Sequence, residues 1–516
     1  MHGAVSDKSD TKTESSAVPG GSTDVTKDAA NDATKEASKD ATKYDFMVVS
    51  NRLPVDRCAP GEPGDDGSGW RRSPGGLVTA LAPMMTRTDG AWVGWHGAAD
   101  ETVEPFSHGG MDLVPVQLSG DDVELYYEGF SNATVWPLYH DVIAPPEFHR
   151  TWWDAYRTVN RRFADAVVRT ADEGATVWVQ DYQLQLVPRM LRQARPDLRI
   201  GFFNHIPFPP PEIFAQLPWR QAIIDGLLGA DLVGFQRSSD AGNFMRSARR
   251  FLGASVKQQQ VHVKDADGEH THIARAQAFP ISIDVQHITE LAQKPEIIER
   301  ARQIRQDLGN PKTILLGVDR LDYTKGIGHR LKAYEELLNE GKLKVGDATL
   351  IQVASPSRER VEQYRLLREE VEGTVGHING TYDTIENTAV RYLHHSYPVE
   401  EMVALYLAAD VMLVTALRDG MNLVAKEYVT ARTNNDGALV LSEFAGAADQ
   451  LKQALLMNPH DIDGLKDAVM RAVRMAPKEA ARRMRSMRKQ ILDHDVDHWS
   501  ADFLNALNEK VIRDDS

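Results

Sequence analysis

The chain has 516 residues, enough for two or more domains that each bury a core of their own. Its 59 Lys and Arg against 74 Asp and Glu leave a formal charge of −15, which argues against non-specific binding to nucleic acid or an anionic membrane while leaving room for a local basic pocket. A single cysteine, Cys58, excludes an intrachain disulfide and a Cys-rich metal site; with no apolar run of spanning length and no apolar leader core, a cytosolic protein is expected.

Residues 1–43 are rich in Ser, Thr, Asp, Lys and Ala and almost free of large apolar side chains, so they read as a disordered N-terminal tail. Order begins with the apolar strand 46–50, which ends on Ser50-Asn51-Arg52. Gly75-Gly76-Leu77 then opens a helical pattern, and with Arg52 its backbone amides suit a phosphate, although a lone Gly-Gly is more often a turn. Trp92, Trp95, Tyr127 and Trp136 offer flat faces to sugar rings, but most tryptophans are core. A helix is predicted over 152–171. Strand 176–180 follows and runs into Asp181-Tyr182, where Asp181 either serves a site or satisfies loop amides. Strand 199–204 ends at His205, and the proline run after it cannot continue a central strand, so His205 belongs on a rigid loop at the strand end.

A helix at 219–228 and a strand at 232–236 precede a stretch of different character. Residues 261–279 hold two strand-like pieces around Asp267-Gly268, the pattern of a hairpin, and 279–284 suits a domain hinge. Asp265 to Glu269 superficially matches a phosphatase nucleophile loop, but it falls where a hairpin turn is needed and lacks the apolar strand before it. Strand 312–318 leads to Arg320, Lys325 and Gly326, with a helix starting near Lys325. In an open α/β sheet, ligands bind beyond the carboxyl ends of the strands. A planar guanidinium, a mobile ammonium and a helix N-terminus at that place suit a diphosphate.

Strand 349–354, helix 358–372, strand 411–415, helix 423–430 and strand 438–442 complete the pattern. After 411–415 comes Asp419-Gly420-Met421-Asn422-Leu423, a tight turn into a helix that carries Glu427 one turn in, where it suits ribose hydroxyls. Asp419 or Asn422 can equally be a helix cap. His394-His395 has no third ligand at zinc spacing. Strands alternating with helices predict an α/β chain of two Rossmann-like domains around a cleft.

Taken in order, Ser50-Asn51-Arg52, Gly75-Gly76-Leu77, Tyr127 through Trp136, Asp181-Tyr182, His205 through Pro209, Gly317 through Gly326 and Asp419 through Glu427 closely resemble the trehalose-6-phosphate synthase family of retaining GT-B glycosyltransferases, over roughly residues 44–490. The chain departs from the family pattern at Gln183, where a His is common. The resemblance implies an α/β GT-B fold with its active site in the interdomain cleft: an acceptor-binding domain at 44–281, a nucleotide-sugar-binding domain at 282–488, and a C-terminal helix in 489–516 packing back on the first domain. It implies transfer of glucose from a nucleoside-diphosphate glucose to glucose 6-phosphate, giving α,α-trehalose 6-phosphate.

By the same resemblance, Asp181, His205, Arg320, Lys325 and Asp419 are catalytic. Gly76, His205, Arg320, Lys325, Asp419, Asn422, Leu423 and Glu427 bind the donor, and Arg52, Trp95, Tyr127, Trp136, Asp181 and Arg358 bind the acceptor. No cofactor, metal, nucleic acid or membrane partner is expected, and a homo-oligomer, dimer or tetramer, is. A relative with another acceptor (glucosylglycerol-phosphate synthase or a pseudo-glycosyltransferase) and a non-catalytic sugar-phosphate sensor are the alternatives, the sensor disfavoured by the intact Arg320, Lys325, Asp419 and Glu427.

Overall fold

The computed structural model describes residues 43–58, 68–73, 76–264 and 271–509. The expected tail and the Asp267-Gly268 turn lie outside the described residues. The first sheet is built from β1 (Tyr44–Arg52), β4 (Gly90–Trp95), β5 (Phe106–His108), β6 (Met111–Pro115), β7 (Ala171–Gln180), β8 (Arg199–Asn204), β9 (Leu232–Phe235), β10 (Ser255–Lys257), β11 (Gln260–Lys264) and β12 (Thr271–Ala278), while β2 (Val55–Arg57) and β3 (Trp70–Arg72) form a separate antiparallel pair. Strand order is β10-β11-β12-β9-β8-β7-β1-β4-β6-β5. The strands from β12 to β6 are parallel, and antiparallel partners close both edges. The second sheet holds β13 (Thr313–Arg320), β14 (Ala348–Ser355), β15 (Val390–Leu393), β16 (Val411–Val414), β17 (Ala438–Ser442) and β18 (Leu455–Met457) in the order β15-β14-β13-β16-β17-β18, all parallel.

The apolar runs become strands buried on both faces because helices cover both sides of a parallel sheet. Residue alternation then sorts the faces. In the first sheet Met47, Val49, Val93 and Val177 join one core, while Val48, Trp92, Trp178 and Phe203 join another on the opposite face. The second sheet repeats this: Leu315, Leu350 and Leu413 have their own core. Its opposite face, Leu316, Ile351 and Met412, shares the core of Val48 and Trp178. That shared core runs through Ile281 and Ile283 of the 279–284 segment and takes in Trp499 and Phe503 from the last helix, Val496–Asn508. Phe503 stacks on Trp178 with centroids 4.5 Å apart, and Trp499 Nε1 donates to the Phe279 carbonyl over 3.1 Å. Gly201 and Gly234 leave the space that the Phe503 ring occupies.

Several predicted elements change. The helix expected over 358–372 is Glu362–Tyr382, and Arg358 precedes it in a loop with φ 47°. The helix expected near Lys325 is preceded by a 3₁₀ turn, Tyr323–Lys325, and runs Ile327–Asn339. Strands β4 and β6 were not anticipated. Trp92 and Trp95 sit on β4, and Trp92 is fully buried with its indole N–H donating to Ser50 Oγ at 2.7 Å, the core reading of that residue. Residues Val123–Val135 wind wider than an α-helix, with i→i+5 bonding, a geometry with no local sequence signal.

Candidate active site

All the parallel strands of each sheet point their carboxyl ends to one edge, so the segments after β7, β8, β9, β13 and β16 collect there. They line a cleft of about 360 Å³, with Asp181, His205 and Gln236 from the first sheet and Arg320, Lys325, Asp419, Asn422 and Glu427 from the second.

The turn after β13 is shaped by Asp322. Its carboxylate accepts from the Thr324 amide at 3.0 Å and the Thr324 hydroxyl at 2.8 Å. Burial alone would raise its pKa, but Arg358, Arg320 and Lys325 hold it down at about 2. Gly326 follows in the left-handed region with φ 63°, and any Cβ there would overlap the Thr415 carbonyl oxygen. The turn therefore delivers Lys325 into the cleft, where Nζ meets Asp419 Oδ2 at 2.5 Å; the side chains are 12% and 13% exposed. Arg320 stays open to the cleft, with its guanidinium 5.3 Å from the centre of the Trp136 ring.

Asp419 is held ionised below the usual carboxylate range. Burial opposes this, but the Lys325 charge and hydrogen bonds from Lys325 and Asn422 outweigh it. Asn422 has φ 83°, which Asn tolerates better than most residues. It caps the helix Leu423–Ala431, its side chain accepting from the Ala425 amide at 3.0 Å, and donates to Asp419 at 3.2 Å. The helix N-terminus thus opens onto the cleft, as anion binding requires. One turn in, Glu427 accepts from the Tyr406 hydroxyl at 2.7 Å, and burial raises its pKa.

Opposite these, Asp181 has φ 72° and accepts from the His205 amide at 3.1 Å. Burial raises its pKa to about 6 despite that bond and the charges of Arg320 and Arg358. His205 Nε2 lies 2.9 Å from Gln180 Oε1, an arrangement in which Nε2 carries the proton and donates. Burial lowers the His205 pKa to about 3, so the ring is neutral at pH 7. Beside the cleft, Arg358 lies 3.7 Å over the Trp136 ring, donates to Asp322 at 2.9 Å and to the Tyr182 hydroxyl at 3.1 Å, and also meets the Tyr364 hydroxyl. It lies in the loop after β14 of the second sheet, yet it packs on Trp136 and Tyr182 from the first half of the chain. The assembly offers fixed cations, amides and a neutral imidazole around a space that suits a sugar and a diphosphate.

A model of glycosyltransferase family 20 matches residues 44–509. The chain belongs to glycosyltransferase family 20. A trehalose-6-phosphate synthase of Mycobacterium avium (strain 104) is 58% identical over 91% of this chain and 96% of its own length, and one of Mycolicibacterium smegmatis is 57% identical over 90% and 92%. Among solved structures, a Burkholderia xenovorans enzyme described as UDP-forming and in complex with glucose-6-phosphate is 33% identical with a TM-score of 0.81, covering 90% of this chain and all of that one. An E. coli structure described as bound with UDP-2-fluoro glucose is 33% identical with a TM-score of 0.80, covering 91% and 100%. The two-sheet α/β architecture is the GT-B fold.

In this glycosyltransferase Asp181, His205, Arg320, Lys325, Asp419, Asn422, Leu423 and Glu427 line one cavity. Trp136 joins them through Arg320 and Arg358. Tyr127 lies on the wide helix, near enough to Arg358 and Tyr182 to influence both electrostatically. Arg52 and Trp95 are not among the cavity's described lining residues. They pair with each other, the guanidinium 5.0 Å from the ring centre, and Arg52 also meets Asp56 at 2.8 Å. Gly76 opens the helix Gly76–Met85, while Gly75 lies outside the described residues. For Asp181 and Asn422 the structure shows the bland readings directly, since each side chain accepts from a backbone amide.

The sequence reading missed Asp322, Tyr364, Tyr182 as a partner of Arg358, and His140. Asp322 lay inside a quoted motif without a role, and His140 follows Trp136 by one helical turn, the only hint it offered. His140 is buried, its Nδ1–H donates to the Trp136 carbonyl at 2.7 Å, and burial lowers its pKa to about 4 although Asp322 and Asp419 face it. Among the described residues no cluster of three or more His, Cys, Asp or Glu is arranged to hold a metal. His394 Nδ1 donates to the Ala354 carbonyl instead. Also among the described residues, no helix is long and apolar enough to cross a membrane.

Proposed function

We infer that the chain is a retaining glucosyltransferase that moves glucose from a nucleoside-diphosphate glucose to glucose 6-phosphate, forming α,α-trehalose 6-phosphate and the nucleoside diphosphate. The observation that carries this reading is the opposition of Arg320, Lys325 and the Leu423 helix N-terminus to His205 and Asp181 across one cleft. Arg320 and Lys325 hold the diphosphate, and their charge offsets the negative charge that develops as the bond from C1 to phosphate breaks. Gly76 and the amides at Asn422 and Leu423 approach the same phosphates, and Glu427 holds the ribose. Asp419 and the neutral His205 bind hydroxyls of the transferred glucose. Arg358, Trp136 and Tyr127 form the acceptor pocket, and Arg52 with Trp95 stacked on it are assigned to the same acceptor. Asp181 orients the attacking hydroxyl.

The C1 hydroxyl of the acceptor attacks on the face the diphosphate leaves, and its proton passes to the departing phosphate oxygen, so the anomeric configuration is kept. On this reading the first domain spans 44–281 and the second 282–488, and the final segment, 489–516, returns to the first through its helix Val496–Asn508.

The test is turnover with uridine, adenosine and guanosine diphosphate glucose, each offered glucose, glucose 6-phosphate and glycerol 3-phosphate at equal concentration. Transfer to glucose 6-phosphate but not to glucose is expected, because an acceptor without phosphate leaves arginines unpaired in a partly closed site. Arg358→Ala is expected to erase that discrimination. Comparable rates with glucose in the unmodified enzyme would overturn the phosphate requirement, and transfer only to glycerol 3-phosphate would replace the acceptor.

A further inference from the structure

Next to Asp419, and outside the donor contacts, Arg418 turns away from its own sheet. Its Nε lies 3.2 Å from Asp141 Oδ2 and its Nη2 lies 3.6 Å from Asp240 Oδ1. Asp141 follows the short helix Trp136–Tyr139, and Asp240 lies in the first turn of the helix Ser238–Leu252, so both carboxylates belong to the first half of the chain. The Asp240 side chain is fully buried and that of Arg418 is 15% exposed, so the charges are largely removed from water and each needs the other. Close by, Arg237 grips Asp449 with two bonds of 2.7 and 2.9 Å, a second ionic tie across the same boundary.

Two features show that this boundary is held in one register. Asp141 and Val142 have consecutive positive φ values of 58° and 60°, a conformation uncommon for residues with a Cβ and rarest for a β-branched one. Such outliers persist where the surrounding structure over-determines them. The same turn presents His140 to the Lys325–Asp419 pair. Two residues past Arg418, Gly420 meets the loop after β8 so closely that any Cβ would overlap the His205 carbonyl oxygen. The loop of Asp419 and the loop of His205 are thus in backbone contact, with Arg418 beside the contact.

We propose that Arg418 is a positioning residue: held by Asp141 and Asp240, it seats the Asp419 loop against His205 and so sets the distance across which the glucosyl group moves. The loop has other anchors within its own sheet. Leu417 N–H donates to the Thr324 carbonyl at 2.7 Å, and Asp419 N–H to the Phe444 carbonyl at 3.2 Å. Loss of Arg418 therefore leaves the diphosphate-holding half intact and changes only its registration on the other half. Transfer is sensitive to such registration, since a displacement of about 1 Å costs on the order of 100-fold in rate.

The proposal rests on the glucosyl transfer inferred above. The experiment measures kcat and KM for transfer in Arg418→Ala, Arg418→Lys, Asp141→Asn and the Arg418→Ala/Asp141→Asn double variant. Alongside, calorimetric titration with uridine, adenosine and guanosine diphosphates identifies the tightest, and its Kd is then followed through the series. Arg418→Ala is expected to lower kcat by about 100-fold with that Kd unchanged. Arg418→Lys should recover part of the rate, and the double variant should be no slower than Arg418→Ala. An unchanged kcat in Arg418→Ala, a Kd that weakens in step with kcat, or additive losses in the double variant would each overturn the proposal. If Arg418→Ala does not fold, Asp141→Asn, altered at a carboxylate that is 40% exposed, decides alone: a lower kcat at unchanged Kd supports the latch and an unchanged kcat overturns it. Transfer by the unmodified enzyme with unaffected variants would sink the latch and leave the transfer reading standing.

Discussion

Lys325 and Asp419 neutralise each other at the centre of the cleft, whereas Arg320 stands open beside them. The two cations should therefore fail differently. Arg320→Ala is expected to reduce turnover at saturating substrate by about 100- to 1000-fold, the usual loss for one donor at a developing charge, with an unchanged thermal midpoint. Lys325→Ala should lose as much activity and also stability, because it strands the Asp419 carboxylate. Near-normal turnover in both would refute their placement at the diphosphate. Asp181 carries a pH signature. Its folded pKa of about 6 lies above the ordinary 3.8, so its contribution to stability is full below about pH 4 and is lost as pH rises through 6. Asp181→Asn should then be the more stable protein at pH 8, by on the order of 1 kcal/mol since the carboxyl still meets cleft water, with the difference gone at pH 4. Equal midpoints for the two proteins at pH 8 would contradict the raised pKa. These single residues were legible as types: an Arg, a Lys or a His at a strand end. Their pairing was not. Nothing local in the sequence ties Lys325 to Asp419, 94 positions apart, or sends Arg358 onto Trp136.

The turn from β13 into the helix Ile327–Asn339 shows how an element aims its residues. Gly326 is both left-handed and pressed against the Thr415 carbonyl, so Gly326→Ala meets backbone strain and overlap together. A loss of about 3 kcal/mol or more is expected, read as a lower denaturation midpoint at unchanged slope. An unchanged midpoint would mean that the turn is loose. At Asn422 the balance differs. Asn422→Gly keeps the backbone at ease while Asn422→Ala loses cap and conformation alike, so Ala should cost about 1 kcal/mol more than Gly. Strands in long apolar runs were readable because burial on both faces demands them. β4 escaped because its run Gly90–Trp95 is short and carries two glycines, which weaken a strand signal, and the wide helix Val123–Val135 because i→i+5 winding leaves no periodic mark.

Across the whole molecule, the last helix fastens the two halves. Phe503 lies on Trp178 in the space left by Gly201 and Gly234, within the core shared by both sheets. Phe503→Ala should destabilise the protein by about 3–5 kcal/mol, and because the shared core links the sheets, thermal unfolding should change from one transition toward two. A single transition at the original midpoint would show that the helix is an ornament on the first sheet.

By itself the sequence determined that the chain alternates strands and helices, that charged and polar residues such as Asp181, His205 and Arg320 sit at strand ends, and that two cations precede an acidic turn by about a hundred residues. Those properties follow from local periodicity, turn chemistry and motif order, which the chain carries wherever it is placed. Only the tertiary structure decided that the ends of β7 and β8 face those of β13 and β16, that Arg52 and Trp95 pair with each other, and that Arg418 reaches Asp141 and Asp240. Such contacts are set by strand order and by one apolar core shared through the 279–284 segment and the final helix, and side chains far apart in sequence meet only after that burial has been completed.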